Sequence, residues 1–319
     1  MRFNKKYDIV GLGGCGVDLR AKVPKLPSPN HKVIATQLEI SEGGVTSNNL
    51  VQVAKLGLRA AWIGALGNDS WAKHLTDKFK KAKINSFPVY VSKAPTQQFW
   101  IATDPKGEWN MVGIPGATRK LTSSHVRNKF YKIIASARHF HTEVAVIPLA
   151  TALEGAEIAK KSGTKILVDI DDDPWYLIEK EKIGTKKEFL RLLKLADIVK
   201  LSKTGALGLT KKKNISQKVI EKILKMGPKM VVVTMAEKGC IVVTSDKILH
   251  IPGFKIKPFD TVGAGDAFMG GLSYGLLRGW DLEKVGQFAN ACGAFKCTQF
   301  GTRSSGDLEE INYFIKSHA

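Results

Sequence analysis

Short apolar runs alternate along the chain with longer stretches in which apolar residues recur every three to four positions. Residues 7–12, 60–65, 87–91, 139–142, 165–169, 198–200 and 230–234 read as strands. Most are apolar nearly throughout, the pattern of strands buried on both faces. Between them, residues 44–56, 71–83, 150–162, 186–195 and 216–226 each carry one apolar face and read as helices. The last third closes on three more helices, 267–277, 282–298 and 308–317. This alternation predicts an α/β fold, a largely parallel sheet with helices on both faces.

Two segments break the rhythm. Residues 17–42 hold Pro24, Pro27 and Pro29 and then the alternating KVIATQLEI, and residues 97–112, QQFWIATDPKGEWNMV, read as a hairpin turning at Asp104-Pro105-Lys106-Gly107. Both read as β structure inserted into the α/β frame, forming a small separate sheet that is either a lid or a second packed subdomain. The expected division is a core of residues 1–16, 43–96 and 113–319 and a β-sheet lid of residues 17–42 and 97–112. No internal repeat or long linker interrupts it.

Composition adds exclusions. With 319 residues, 44% hydrophobic and 24% charged, the chain is an ordinary globular protein. No apolar run approaches the roughly 18 residues of a membrane span. The apolar start is confined to residues 9–12 behind Asp8, too short for a secretory leader, so a cytoplasmic protein with no membrane partner is expected. Four cysteines without CxxC spacing read as reduced, buried side chains and not as a zinc site. The net charge of +20 raises nucleic acid as a partner. The lysines, however, are scattered over helical stretches with no nucleic-acid-binding motif, so no such partner is expected and the lysines read as a solvated surface.

Gly11, Gly13 and Gly16 spell G-x-G-x-x-G behind the first strand. A dinucleotide turn needs a helix directly after it. Here Val17-Asp18-Leu19 and three prolines follow, so no helix fits. The glycines are expected to leave open space at a strand end, with Asp18 the first polar side chain beyond.

The chemistry concentrates in DTVGAGDAFMGGLSYGLL, residues 260–277. Gly263, Ala264 and Gly265 precede a helical run, where free backbone N–H groups and the positive end of the helix dipole suit a phosphate. Asp266 falls in the first turn, where a carboxylate is favoured in its ionised form and can take a proton from an attacking hydroxyl. Gly270 and Gly271 point to close backbone packing or a nearby ligand.

D-T-x-G-A-G-D-A-F followed by G-G-L resembles the C-terminal signature of the PfkB (ribokinase-like) carbohydrate kinases at each defining position. Glu42-Gly43-Gly44, Asn48, Gly57 and the stretch Gly64–Asp69 resemble the N-terminal signature, with Thr46 and Leu50 departing from it. The resemblance covers nearly the whole chain. It implies a ribokinase-like three-layer αβα core with a small β lid, and an ATP-dependent sugar kinase requiring Mg²⁺. Asp266 would be the base and Gly263, Ala264 and Gly265 the anion hole. Asp18, Gly43, Gly44 and Asn48 would hold sugar hydroxyls; Glu143 either reaches the substrate or is a surface side chain. Ser202, Thr234, Glu237, Gly239, Thr261, Gly263, Gly265, Asn290 and Gly293 would lie along the nucleotide. Thr261 and residues 297–305 would help form a monovalent-cation (K⁺) site, largely through carbonyls.

One motif departs. Where the family often has N-x-x-E, this chain has Ser202-Lys203-Thr204-Gly205. The acidic run 169–173 either holds Mg²⁺ through water, with Asp171 as its residue, or is an Asp-rich turn before Pro174. The alternatives to a sugar kinase are a nucleoside or phosphosugar kinase of the same superfamily, or an impaired sugar- or nucleotide-binding sensor. Specificity is expected from side chains such as Gln98, Trp100, Asn110 and Arg138, and exposed lid edges suggest a homodimer through the lid.

Overall fold

The computed structural model describes residues 4–106, 108–303 and 305–318. Strands β1 (Tyr7–Leu12), β4 (Ala60–Gly67), β5 (Asn85–Val91), β8 (Ala137–Glu143), β9 (Lys165–Ile170), β10 (Ile198–Ser202), β11 (Met230–Thr234), β12 (Cys240–Thr244) and β13 (Ile248–Ile251) form one sheet in the order β13-β12-β11-β10-β9-β8-β1-β4-β5. Seven strands run parallel, and β12 and β13 add an antiparallel edge. All residues of β1 and β4 are buried, as expected of central parallel strands.

Alternation along the strands divides the core into layers. Ile9, Leu50, Trp62 and Phe79 pack on one face, while Val10, Leu12, Ile63 and Phe140 pack on the other. Toward the antiparallel edge, Leu167, Val232 and Val242 lie under Phe268, Met269 and Leu272 of the helix Ala264–Leu277. Gly270 and Gly271 serve this packing: a Cβ on Gly270 would lie 2.5 Å from Gln52 Cγ, and one on Gly271 would lie 2.8 Å from Cys292 Sγ. Helix ends follow local rules. Thr185 and Glu188 form a reciprocal capping box at the start of Lys186–Leu195.

The interrupting segments form a second sheet of β2 (Gly16–Lys22), β3 (Gln37–Gly43), β6 (Gln97–Thr103) and β7 (Trp109–Ile114), in the order β3-β2-β6-β7. The hairpin turn is closed by Asp104, whose N–H donates to Glu108 O at 3.0 Å and whose Oδ1 accepts from the N–H groups of Lys106 and Glu108. Gly107 lies outside the described residues.

After Gly16 the chain continues as a strand, not a helix, consistent with setting aside a dinucleotide turn. The glycines of this loop do not leave open space, however. A Cβ on Gly13 would lie 2.0 Å from Thr46 Oγ1, and one on Gly14 would lie 2.8 Å from Gln97 Oε1. They permit close approach of the loop to the helix Val45–Lys55 and to β6.

In β1, β8, β9, β10 and β11 the carboxyl ends point to one edge, where β1 lies between β8 and β4 as the strand order reverses. Open α/β sheets bind ligands at such a switch point.

Candidate active site

The helix Ala264–Leu277 starts from Gly263, whose φ of +85° places it in the left-handed region; a Cβ there would meet Thr302 O at 2.4 Å. Both the conformation and the contact require glycine. Ala264 N–H donates to Thr261 O at 3.2 Å, which closes the turn and uses one of the three expected anion donors. Among the described residues, the N–H groups of Gly265 and Asp266 have no partner beyond the helix, so these are the free donors of the first turn.

Asp266 is buried, and Asn48 Nδ2 donates to its Oδ2 at 2.8 Å. Burial, reinforced by the neighbouring Asp171 carboxylate, pushes its proton affinity well above the ordinary range; Asn48 and Lys200 pull the other way. This corrects the expectation of a carboxylate favoured in its ionised form, because desolvation outweighs the helix N-terminus.

Arg303 organises the expected sugar side. Its Nε donates to Asn48 Oδ1 at 2.9 Å, and its Nη2 donates to Ser47 Oγ at 2.9 Å and to Gly43 O at 3.4 Å. Gly43 in turn sits against Asp18, where a Cβ would come 2.4 Å from Asp18 Oδ1. Gly44 caps the Val45 helix at φ +105°, against Gly14 O. Asp18, Gly43, Gly44, Asn48 and Asp266 therefore form one connected group. Burial pushes the Asp18 carboxyl up to about 6, against the pull of Arg20 and Arg303. Arg303 stands within the span 297–305 that the resemblance assigns to a cation site, and no motif in the sequence singles it out for the sugar side.

Glu143 is neither a surface side chain nor free toward this group. It is 1% exposed; Oε1 accepts from Gly14 N–H at 3.0 Å, and Oε2 accepts from Thr46 N–H at 2.9 Å and Thr46 Oγ1 at 2.7 Å. It ties the glycine loop to the first turn of the Val45 helix. Thr46, the departure from the family's small residue, supplies the bond that occupies it.

At the end of β9, Asp169, Asp171 and Asp266 each present an oxygen within 4.8 Å of the others. Lys200, wholly buried on β10, donates from Nζ to Asp171 Oδ1 at 2.6 Å and lies 3.0 Å from Asp169 Oδ1. Burial opposes the lysine's charge, but Asp169 and Asp171 hold it protonated above its ordinary range. Burial and the Asp171 carboxylate push Asp169 up to about 8. Lys200 offsets one charge of this pair, and Asp171, whose side chain is 34% exposed, is the carboxylate that could hold a divalent cation through water.

Ser202 caps the helix Lys203–Thr210. Its Oγ accepts from Gly205 N–H at 2.9 Å and donates to Asp171 O at 2.6 Å, so the hydroxyl braces the acidic turn. A Cβ on Gly205 would lie 2.3 Å from Ile170 O. The glutamate usual at that place has no room here.

The remaining expected nucleotide residues are each engaged locally. Thr234 Oγ1 donates to Leu201 O at 3.4 Å, Glu237 is exposed on a short turn, and Gly239 at φ +88° rests against Ile251 O. Asn290 Nδ2 donates to Ile251 O at 3.2 Å and Pro252 O at 3.0 Å, fastening the loop after β13 to the helix Leu282–Cys297. Gly293 brings that helix within 3.2 Å of Ala264 O, measured from its ideal Cβ. Thr261 is exposed at the mouth of the anion loop. Of the span 297–305, Ser304 lies outside the described residues.

Strand register relocates the side chains expected to set specificity. Asp18 pairs across to Phe99, whereas Leu19 pairs with Trp100 and Val17 with Gln98. Gln98, Trp100 and Asn110 therefore share the face opposite Asp18. Arg138 bonds Leu277 O and pairs with Asp8, away from this group.

An aspartate in the first turn of a glycine-preceded helix, facing a polar group built on a second sheet, defines a sugar-kinase-like site at the switch point of a three-layer α/β fold. The profile of the pfkB family carbohydrate kinases matches residues 6–309, and the chain belongs to this family. It is accordingly an ATP-dependent carbohydrate kinase. The chain is 28% identical to a ribokinase of Haemophilus influenzae over 317 residues, 97% of this chain and 98% of the relative. It is 28% identical to fructokinase-1 of Oryza sativa subsp. japonica over 270 residues, 81% of this chain and 83% of that one. The crystal structure of a ribokinase from Thermotoga maritima superposes with a TM-score of 0.85 at 25% identity, over 97% of this chain and 99% of that structure. Among the described residues no helix is long and apolar enough to cross a membrane.

Proposed function

We propose that the protein transfers the γ-phosphoryl group of ATP to a hydroxyl of a small sugar, with Asp266 as general base. The observation that carries this is the Asn48–Asp266 hydrogen bond, which couples the base to the polar group that would hold the sugar. Asp18 and Asn48 suit sugar hydroxyls because a carboxylate accepts and an amide both accepts and donates. The acceptor hydroxyl gives its proton to Asp266 as its oxygen attacks phosphorus, and the N–H groups of Gly265 and Asp266, in the loop shaped by Gly263 and Ala264, stabilise the charge on the transferred group. Asp171 would hold Mg²⁺ through water; the ion supplies neutralisation of phosphate charge. Raised proton affinity makes Asp266 a stronger base than an ordinary aspartate. The small sheet acts as a lid, because Asp18 stands on its inner face and Gly43 at its return to the core.

The test is release of ADP from ATP·Mg²⁺ with a panel of sugars, sugar acids, sugar phosphates and nucleosides, run beside Asp266→Asn. Turnover on one substrate class, reduced about 10²-fold or more in the variant, is expected. Near-normal turnover by Asp266→Asn removes the base assignment. The loss of N-x-x-E to Ser202 and Gly205 favours one second reading, a sensor that binds sugar or nucleotide without transfer. Thermal stabilisation by a sugar with no turnover would select it.

The outer face of the lid adds a homodimer. Ile40, Leu19, Trp100 and Val112 form one cross-strand row, of which Ile40, Trp100 and Val112 are large, exposed hydrophobics, with Leu38 beside them. A contiguous apolar patch of this kind marks an interaction surface.

A further inference from the structure

The resemblance places a monovalent cation beside the anion loop, and this chain has put a side chain of its own there. Lys296, in the last turn of the helix Leu282–Cys297, is wholly buried. Its Nζ donates to Asp260 O at 2.7 Å and lies 3.7 Å from Asp260 Oδ2. Asp260 opens the stretch that leads through Thr261 and Gly263 into the Ala264 helix. Its carboxylate is otherwise engaged by Arg20 Nη1 at 3.0 Å and by the N–H groups of Val262 at 3.0 Å and Gly301 at 3.1 Å. Burial opposes ionisation of Asp260, but Arg20, the two N–H groups and Lys296 together hold it below the ordinary carboxylate range. The same neighbourhood supports the anion loop directly, since Gly263 rests on Thr302 O.

We infer that the Lys296 ammonium takes the place of an alkali cation, so that the anion loop is set without added K⁺. The charge count argues for it. One carboxylate, Asp260, already faces two cations, Arg20 and Lys296. A K⁺ ion would be a third positive charge in a buried site with no second carboxylate among the described residues to receive it, and like charges repel strongly where water is excluded. An ammonium group and a potassium ion bear the same charge and both bind carbonyl oxygens, which makes the replacement chemically natural. Lysine is almost never fully buried unless paired, and here its partner is the backbone and carboxylate of the residue that begins the phosphate-facing segment. Lys296 is thus a positioning residue, acting through Asp260.

The consequence for turnover rests on the kinase reading; the binding test does not. Thermal unfolding of the full-length protein would be followed in KCl, NH₄Cl, NaCl and tetramethylammonium chloride at equal ionic strength. The wild-type midpoint is expected to be the same in all four. Lys296→Ala should unfold earlier and regain stability selectively and saturably with K⁺ or NH₄⁺, because a ligand that binds the native state raises its midpoint. Turnover, if present, should follow: indifferent to K⁺ in wild type, lowered several-fold in the variant and partly restored by K⁺ or NH₄⁺. A wild-type protein selectively stabilised or activated by K⁺ overturns the inference. So does a folded Lys296→Ala that ignores every cation, since that is the behaviour of a merely structural lysine. If Lys296→Ala does not fold, Lys296→Met keeps the volume without the charge, and full cation-independent turnover in it would equally overturn the inference; the wild-type comparison decides in any case. A protein that phosphorylates no sugar leaves the thermal comparison intact.

Discussion

Asn48 Nδ2 donates to Asp266 Oδ2 at 2.8 Å, linking residues 218 positions apart in the chain. The bond pulls the Asp266 carboxyl downward while burial and Asp171 push it up. Only the ionised carboxylate can accept a proton, so activity should fall as pH drops through the Asp266 pKa, and this acid limb should lie above that of an ordinary aspartate. Asn48→Ala removes a downward influence and should move the limb to higher pH, as well as weaken substrate binding. A profile of kcat/KM against pH checks both; an unmoved limb in Asn48→Ala would separate the bond from the base.

Asp18 places function against stability. Its folded pKa of about 6 lies above the ordinary carboxylate value of 3.8, so the native state binds protons more tightly than the unfolded chain. Stability therefore falls as pH rises between those values, and the whole penalty is present at neutral pH. Asp18→Asn should stabilise the protein by roughly 1–3 kcal/mol at pH 7 and by little at pH 3.5, while reducing activity. Denaturant unfolding at the two pH values measures it. Equal gains at both would mean that the charge is not the cause.

Gly205 explains the missing family glutamate, and it can be tested directly. Because its Cβ would meet Ile170 O at 2.3 Å, Gly205→Ala should cost about 1–3 kcal/mol in urea unfolding. Gly205→Glu should cost more and should not restore a family-like site. A neutral Gly205→Ala would show that the acidic turn yields easily.

The exposed row on the small sheet predicts self-association. Trp100→Glu or Val112→Glu should shift the protein from dimer to monomer in sedimentation equilibrium without altering its circular dichroism. A wild-type monomer at tens of micromolar, on the order of ordinary assay concentrations, would remove the proposal.

Much of the frame was legible because its signals are local. The apolar run of β1 and the amphipathic stretch Lys186–Leu195, bounded by its Thr185–Glu188 capping box, fall where the pattern puts them. The edge strands β12 and β13 were not read. They are five and four residues long, respectively, and follow Ala236, a non-glycine at φ +52° in the left-handed region that favours glycine. Position-specific roles were less legible. Glu143 stands at a strand end, as a ligand would, yet only the folded chain shows Thr46 and Gly14 occupying both its oxygens. Lys200 carried a signal that could have been used, since a lysine inside the apolar run IVKLS must be paired when the strand is buried. Gln98 and Trp100 were misplaced because period-two alternation needs the register with β2, and register is set by pairing across the sheet.

The Arg20–Asp260 ion pair joins β2 to the segment leading into the Ala264 helix at 3.0 Å. A strand that swung outward would have to surrender that guanidinium and leave the carboxylate with Lys296 as its remaining full charge. If the small sheet is a lid, its position and the readiness of the phosphate-facing turn would both be written on a single carboxylate, shared by Arg20 and Lys296.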